Sequence, residues 1–299
     1  MNSFLQQIRG ILSILYLITN TLFWGMFLFS ITGLRLVVPL KAWRKICGRI
    51  AINIAENWIF FNNVGLILSR NIEFNLKGIE KLDRKAWYLV ISNHQSWVDI
   101  PVLQKIFYHK IPMLKFFLKK ELIWVPVLGQ AWWALDFPFM KRYSVDFIRK
   151  HPHLKGKDIE ITRKACEKFK DNPVAIMNFT EGTRFTGEKH ERQKSPYKNL
   201  LKPKAGGIGF VLSAMGEQLS YILDVTISYP LGVPNFWDFM CGKVKRIDVM
   251  VRKYPITPEL LGDYTIDKEY RVRFQRWLNE LWKEKDLYFE HVINGSPKN

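Results

Sequence analysis

Residues 88–99 read Tyr-Leu-Val-Ile-Ser-Asn-His-Gln-Ser-Trp-Val-Asp. The apolar run Tyr88-Leu-Val-Ile91 reads as a buried strand. The polar stretch that follows puts His94 beyond the strand's carboxyl end, where α/β sheets tend to carry their sites. Asp99 lies five residues further on, at the predicted start of a helix. A strand-to-helix turn can fold that carboxylate back onto the imidazole. Asp99 would then fix the tautomer while the other ring nitrogen accepts a proton. As a bare pattern, His-x4-Asp is weak in a chain with six histidines, and a surface histidine beside an N-capping aspartate fits it too.

Outward from this stretch the chain from Asn71 onward alternates β-rich runs with helical patterns. Strands are predicted at 73–78, 86–93, 136–141, 174–179, 220–227 and 246–253. Helices are predicted near 99–108, 157–170, 205–216 and 268–286. The alternation predicts an α/β fold, a mostly parallel sheet covered by helices. Residues 149–158 and 186–204, rich in Lys, His and Pro, read as exposed loops. The apolar stretch 122–139 is interrupted by Pro126, Asp136 and Pro138, and reads as a core or lipid-facing wall.

Two further strand ends carry charge. Phe179-Thr180-Glu181-Gly182-Thr183-Arg184 offers a glycine turn with exposed amides and a bidentate guanidinium for phosphate. Phe139-Met140-Lys141-Arg142 puts two cations after another strand. Each alone is compatible with a solvated loop. Together with His94 they describe a base beside an anion-binding cleft. Lys202 and Lys204, in a Pro-Lys-Ala-Gly-Gly turn, are further candidates for anion binding. His151-Pro-His153 has no third ligand nearby, so a loop is favoured over a metal site, and no metal is expected.

The amino end reads differently. Residues 10–34 carry no charged side chain and are rich in Leu, Ile, Phe and Trp. About 20 such residues span a bilayer, which predicts an N-terminal transmembrane helix at about 11–34. Arg35, Lys41, Arg44, Lys45 and Arg49 follow it closely, which orients the rest toward the cytoplasm. A second apolar stretch, about 52–68, contains Glu56 and reads as interfacial. The expected division is a membrane-associated region at 1–69 and a catalytic domain at 70–299. The formal charge of +18 draws the chain toward acidic partners such as an anionic lipid surface. No nucleic-acid-binding pattern appears, and nucleic acid is not an expected partner. Three cysteines without CxxC spacing argue for a reducing compartment and against structural zinc.

These blocks resemble those of the glycerolipid acyltransferases of the 1-acyl-glycerol-3-phosphate acyltransferase type (PlsC-like). The particular similarity is to the YihG-like acyltransferases of bacterial inner membranes. NHQSWVD, FPFMKR and FTEGTR resemble the family's His-x4-Asp, Phe-x-x-Arg and Glu-Gly-Thr-Arg blocks, in order and spacing, from about Lys77 to Ile227. The fourth block departs from the family's Val-Pro-Ile: here it is Val225-Thr226-Ile227, with Pro230 further on.

The resemblance implies a transfer of a fatty acyl group from acyl-CoA or acyl carrier protein to a lysophospholipid hydroxyl, without a further cofactor. His94 would be the base and Asp99 its orienting anion. Lys141, Arg142, Glu181, Gly182, Thr183 and Arg184 would hold the acceptor phosphate. Thr226 and Pro230 would line the acyl side. It also implies a bacterial inner membrane, with the site at its cytoplasmic face. Reacylation of another lyso-lipid is the competing enzymatic reading. A catalytically inactive membrane-anchored scaffold is the non-enzymatic one.

Overall fold

A computed structural model describes residues 3–69, 72–140, 169, 172–264 and 266–294. Two long helices, α1 (Ser3–Val37) and α2 (Lys41–Ser69), come first. There follow β1 (Glu73–Lys77), β2 (Tyr88–Ser92), α3 (Asp99–Phe107), β3 (Leu114–Phe116), β4 (Leu118–Lys119), α4 (Leu128–Ala134) and β5 (Phe139–Met140). The chain continues through β6 (Ala175–Phe179), α5 (Gly187–Gln193), α6 (Ala205–Met215), β7 (Tyr221–Ser228), α7 (Phe236–Met240), β8 (Arg246–Pro255) and α8 (Lys268–Asn294).

The main sheet has the order β1-β8-β7-β2-β6-β3. Strands β3, β6, β2 and β7 run parallel, so their carboxyl ends share one edge. β8 pairs antiparallel with β7, and β1 parallel with β8. The sheet is thus mixed, with parallel pairing where the site lies. All five residues of β2 are buried, as a central strand covered on both faces requires. Leu89, Ile91, Ile176 and Ile222 pack under α6 and α8, against Ile208, Val211, Phe274 and Trp282. Tyr88, Val90, Met177 and Val225 pack on the other face against Val102, Leu103 and Ile106 of α3.

Five of the six predicted strands lie in this sheet. The sixth, 136–141, shrinks to β5, which pairs only with β4 in a separate two-stranded sheet. Asp136 has a left-handed backbone (φ 57°) and pairs with Arg35 at 3.0 Å, while Phe137 packs on Leu28, Ala51 and Ala55. The segment is therefore spent on holding the helical pair rather than extending the main sheet. The 186–204 stretch is not all loop, because α5 forms within it. Thr186 caps it by accepting from Lys189 N at 3.3 Å, and Lys194 closes it in the left-handed conformation. The predicted helix at 157–170 falls, but for Phe169, outside the described residues, as do Lys141, Arg142, His151 and His153.

α1 is long and apolar enough to cross a membrane by length and composition, with mean hydropathy 1.8. It is joined to α2 by polar contacts that an apolar helix pair would otherwise lack: Asn20 Nδ2 donates to Asn62 Oδ1 (2.8 Å) and Trp58 Nε1 to Thr21 Oγ1 (3.1 Å). The stretch read as interfacial, 52–68, is the later part of the continuous helix α2. α1 also lies along the sheet domain. Near its start Gln7 accepts from Trp237 Nε1 (3.0 Å). Midway Ile14 and Leu17 join the core beneath α3. Near its end Arg35 meets Asp136.

Candidate functional site

β2 ends at Ser92, and the chain turns through Asn93 to Val98 before α3 begins at Asp99. Asn93 fixes this turn to β7 by a reciprocal pair: Nδ2 donates to Ile227 O and Oδ1 accepts from Ile227 N, both 2.9 Å. Ser96 fixes its other side, donating from Oγ to Pro234 O at 2.6 Å. The loop is thereby held at both ends, which places His94 reproducibly over the edge of the sheet.

Asp99 is fully buried and saturated with donors. Its Oδ2 lies 2.8 Å from His94 Nδ1 and accepts from Gln95 N (2.7 Å) and Ser96 N (2.9 Å). Its Oδ1 accepts from the Tyr229 hydroxyl at 2.6 Å. Burial, and after it the Asp99 carboxylate, hold the Tyr229 phenol well above its ordinary pKa, so it stays a donor. The carboxylate at Nδ1 keeps a proton on that nitrogen and leaves Nε2 as the acceptor. The imidazole stacks on Phe179 with centroids 3.8 Å apart and planes 12° apart. The His94 side chain is 12% exposed, so the ring edge opens outward while its face is covered.

β6 supplies the neighbouring strand end. Thr180 N donates to Ser92 O (3.0 Å), carrying the pairing one residue past β6. Glu181 is fully buried and lies beneath the site rather than on its surface. Its carboxylate accepts from His94 N (3.3 Å) and Leu201 N (3.2 Å). Burial pushes its carboxyl up to about 8, against those two amides and the Lys285 ammonium, which pull it down. Gly182 has φ +71°, a conformation that favours glycine. A Cβ there would lie 3.3 Å from Lys204 Nζ.

Beyond Gly182 the chain brings cations to the surface. Lys189 Nζ donates to Thr183 Oγ1 (2.9 Å) and Arg184 O (3.0 Å). The Arg184 guanidinium sits 4.8 Å over the ring of Trp97, from the His94 loop. Phe185 N donates to His94 O at 2.7 Å, so the two loops are stitched together by backbone. His94, Asp99, Glu181, Gly182, Thr183 and Arg184 therefore converge at one edge of the sheet.

Two candidates have another setting. Thr226 is buried on β7, and its hydroxyl accepts from Lys285 Nζ at 3.1 Å. That ammonium, itself fully buried, also donates to Val225 O (2.6 Å) and pairs with Asp224 Oδ1 (2.7 Å). Thr226 thus anchors α8 to the sheet. Pro230 is half-buried in the turn after β7. Its neighbour Tyr229 is the site residue that sequence reasoning missed; the signal was its position just past a strand parallel to β2. Among the described residues no three His, Cys, Asp or Glu side chains gather as metal ligands would.

A base held by a carboxylate, next to exposed cations on a neighbouring loop, suits proton removal from a hydroxyl on an anionic molecule. The family model described as Acyltransferase matches residues 73–230, more than half the chain. The chain belongs to this family.

Among curated relatives, human 1-acyl-sn-glycerol-3-phosphate acyltransferase gamma is 26% identical over 187 residues, 59% of this chain and 45% of that protein. The yeast 2-acyl-1-lysophosphatidylinositol acyltransferase is 25% identical over 256 residues, 70% of this chain and 62% of that protein. The chain thus spans about half the length of the first of these relatives. The solved 1-acyl-sn-glycerophosphate acyltransferase PlsC of Thermotoga maritima superposes with TM-score 0.52 at 16% identity. It covers 93% of this chain and 98% of its own. That likeness establishes a shared fold, and it extends through the helical pair as well as the sheet.

Proposed function

We propose that this chain is a membrane-bound acyltransferase that moves a fatty acyl group from a thioester to the hydroxyl of a lysophospholipid. The acceptor is 1-acyl-glycerol-3-phosphate and the product phosphatidic acid. One observation carries the reading: the 2.8 Å contact of His94 Nδ1 with a buried Asp99 that accepts three other hydrogen bonds. His94 Nε2 takes the acceptor's hydroxyl proton as its oxygen attacks the thioester carbonyl. The C–S bond breaks, the ester forms, and the proton passes from His94 to the leaving thiolate. Both substrates occupy the site together, so no acyl-enzyme forms and no further cofactor is required. Arg184 binds the acceptor phosphate, assisted by Lys204 and the Gly182 turn, and Lys141 and Arg142 are assigned to the same anion. The donor is acyl-CoA or acyl carrier protein.

The helical pair supports the membrane assignment. α1 meets the sheet domain at Gln7, near its start, and at Arg35, near its end. At 1.5 Å per residue those contacts are about 40 Å apart, more than the roughly 30 Å hydrocarbon core. A perpendicular span would drag the domain into the bilayer. We therefore place α1 and α2 within one leaflet, with Lys41, Arg44, Lys45 and Arg49 at its anionic headgroups. The leaflet proposed is the cytoplasmic one of a bacterial inner membrane.

Reacylation of another lysophospholipid is the second reading, favoured by the similarity to the yeast lysophosphatidylinositol enzyme over 70% of this chain. The test is acyl transfer by the protein in vesicles, from long-chain acyl-CoA or acyl carrier protein to a panel of lysophospholipids. Preference for lysophosphatidic acid is expected. Transfer only to other lyso-lipids would replace the acceptor, and no transfer from either donor would leave a binding scaffold.

A further inference from the structure

The segment between β7 and α7, Tyr229-Pro-Leu-Gly-Val-Pro-Asn235, is a short turn with an exposed apolar tip. Gly232 N donates to Tyr229 O at 3.0 Å, closing a turn with Pro230 at its second position, which presets the backbone there. The tip residues Leu231 and Val233 are 56% and 52% exposed. Around them everything is fixed. Tyr229 is bound to Asp99, Pro234 O accepts from Ser96, and Asn235 caps α7 by accepting from Asp238 N at 2.7 Å. A rigid turn that exposes two branched apolar side chains loses little conformational entropy on being buried.

Its surroundings say by what. One turn of helix further on, Trp237 lies against α1. A Cβ on Gly10 would come within 2.9 Å of its ring, and its indole donates to Gln7. The turn thus leads directly to α1, whose flank beside Gln7 carries the exposed Phe4, Ile11 and Ile18. On the other side Trp97, 53% exposed, extends from the His94 loop beneath Arg184. An indole and a guanidinium flanking aliphatic tips is an arrangement suited to the boundary between acyl chains and phosphate headgroups.

We propose that the 229–235 turn inserts Leu231 and Val233 into the acyl-chain region of the same leaflet that holds α1, so that the mouth of the site opens onto the membrane. The occupant is the lipid surface, and the inference rests on the acyltransferase reading only for its consequence, that an acceptor enters from the leaflet. Because Tyr229 and Pro234 bracket the tip and also hold Asp99 and Ser96, insertion and the catalytic loop share one rigid frame.

The test uses the full chain in vesicles of zwitterionic and anionic phospholipid. Leu231→Cys, in a background of Cys47→Ser, Cys166→Ser and Cys241→Ser, is labelled with a small fluorophore. Quenching by lipids that carry a nitroxide on the acyl chain is then read, with Glu217→Cys as the exposed polar control. Strong quenching at 231 and none at 217 is expected. An unquenched 231 in a protein that binds vesicles and turns over would overturn the insertion alone and point to a protein partner for the tip. Quenching in a protein that transfers no acyl group would instead overturn the acyltransferase reading and leave the insertion standing. As a label-free arm, Leu231→Asp with Val233→Asp should cut transfer to vesicle-embedded lyso-lipid by about tenfold. Transfer to a short-chain lyso-lipid free in water should stay within about twofold. An equal fall on both acceptors, or on neither, would contradict the proposal.

Discussion

The two halves of the site are built on opposite principles. Around His94 the groups that hold the ring are bound within the chain: Asp99 takes four donors, and Asn93 and Ser96 bind backbone on the far side of the turn. Around Arg184 the guanidinium is exposed over the face of Trp97, and among the described residues no carboxylate pairs with it. The base proposed at His94 must keep its geometry with or without substrate, and a shell closed beforehand does this. The anion site proposed at Arg184 needs donors left over for the ligand, and an open shell supplies them. The difference implies that damage to the first half lowers turnover, and damage to the second lowers acceptor affinity.

The largest effect expected is at Asp99. Asp99→Asn replaces a charged acceptor of four hydrogen bonds by a neutral amide with only one accepting atom, so it cannot serve all four donors or stabilise the imidazolium. It should cut kcat roughly 10²–10³-fold with little change in acceptor KM. A KM effect alone would erase the distinction between the halves.

Glu181 sharpens the comparison from beneath, since it braces the backbone of the base loop from the β6 side. Its pKa of about 8 in the folded chain exceeds the ordinary carboxylate value, so the folded state binds more protons through that interval. Folding stability should therefore fall as pH rises from about 4.5 to 8 and level off above. The loss attributable to this group is on the order of 5 kcal/mol. Denaturant titrations at pH 5 and pH 8 should show a smaller difference for Glu181→Gln than for the parent protein.

Arg184→Ala should raise the KM for lysophosphatidic acid about tenfold, the size of one lost charge-assisted interaction. It should leave kcat within a few-fold, and an acceptor lacking the phosphate should not notice the change. Smallest is Tyr229→Phe, which removes one of four donors to Asp99. A loss of roughly threefold in kcat, with a melting temperature lowered by a few degrees, is expected.

Much of this was legible in the sequence because it is local. YLVIS followed by Asn-His announces a central strand and its exit, and His94 and Asp99 meet across a single strand-to-helix turn. The Glu-Gly-Thr-Arg loop likewise follows its own strand. What was hidden depends on register between distant segments. Tyr229 reaches Asp99 only because β7 pairs in parallel with β2. Glu181 accepts from Leu201 through the path of the 194–204 loop. Lys285 comes to Thr226 from the last helix, so an apparent site threonine became an anchor. Strand β3 is three residues with a lysine at its centre, too short to show alternation. The uncharged stretch 10–34 reads the same whether it stands across a bilayer or lies in one leaflet; the placement proposed above rests on contacts of α1 at Gln7 and Arg35 that lie outside it.

The most direct measurement is acyl transfer to lysophosphatidic acid by His94→Ala beside the unaltered protein, in the same vesicles, with circular dichroism and melting temperature recorded for both. A fall of at least about 10²-fold in kcat in a protein that melts as before is predicted. Transfer within a few-fold of the parent would contradict the assignment of His94 as the base, and with it the division of the site into its two halves.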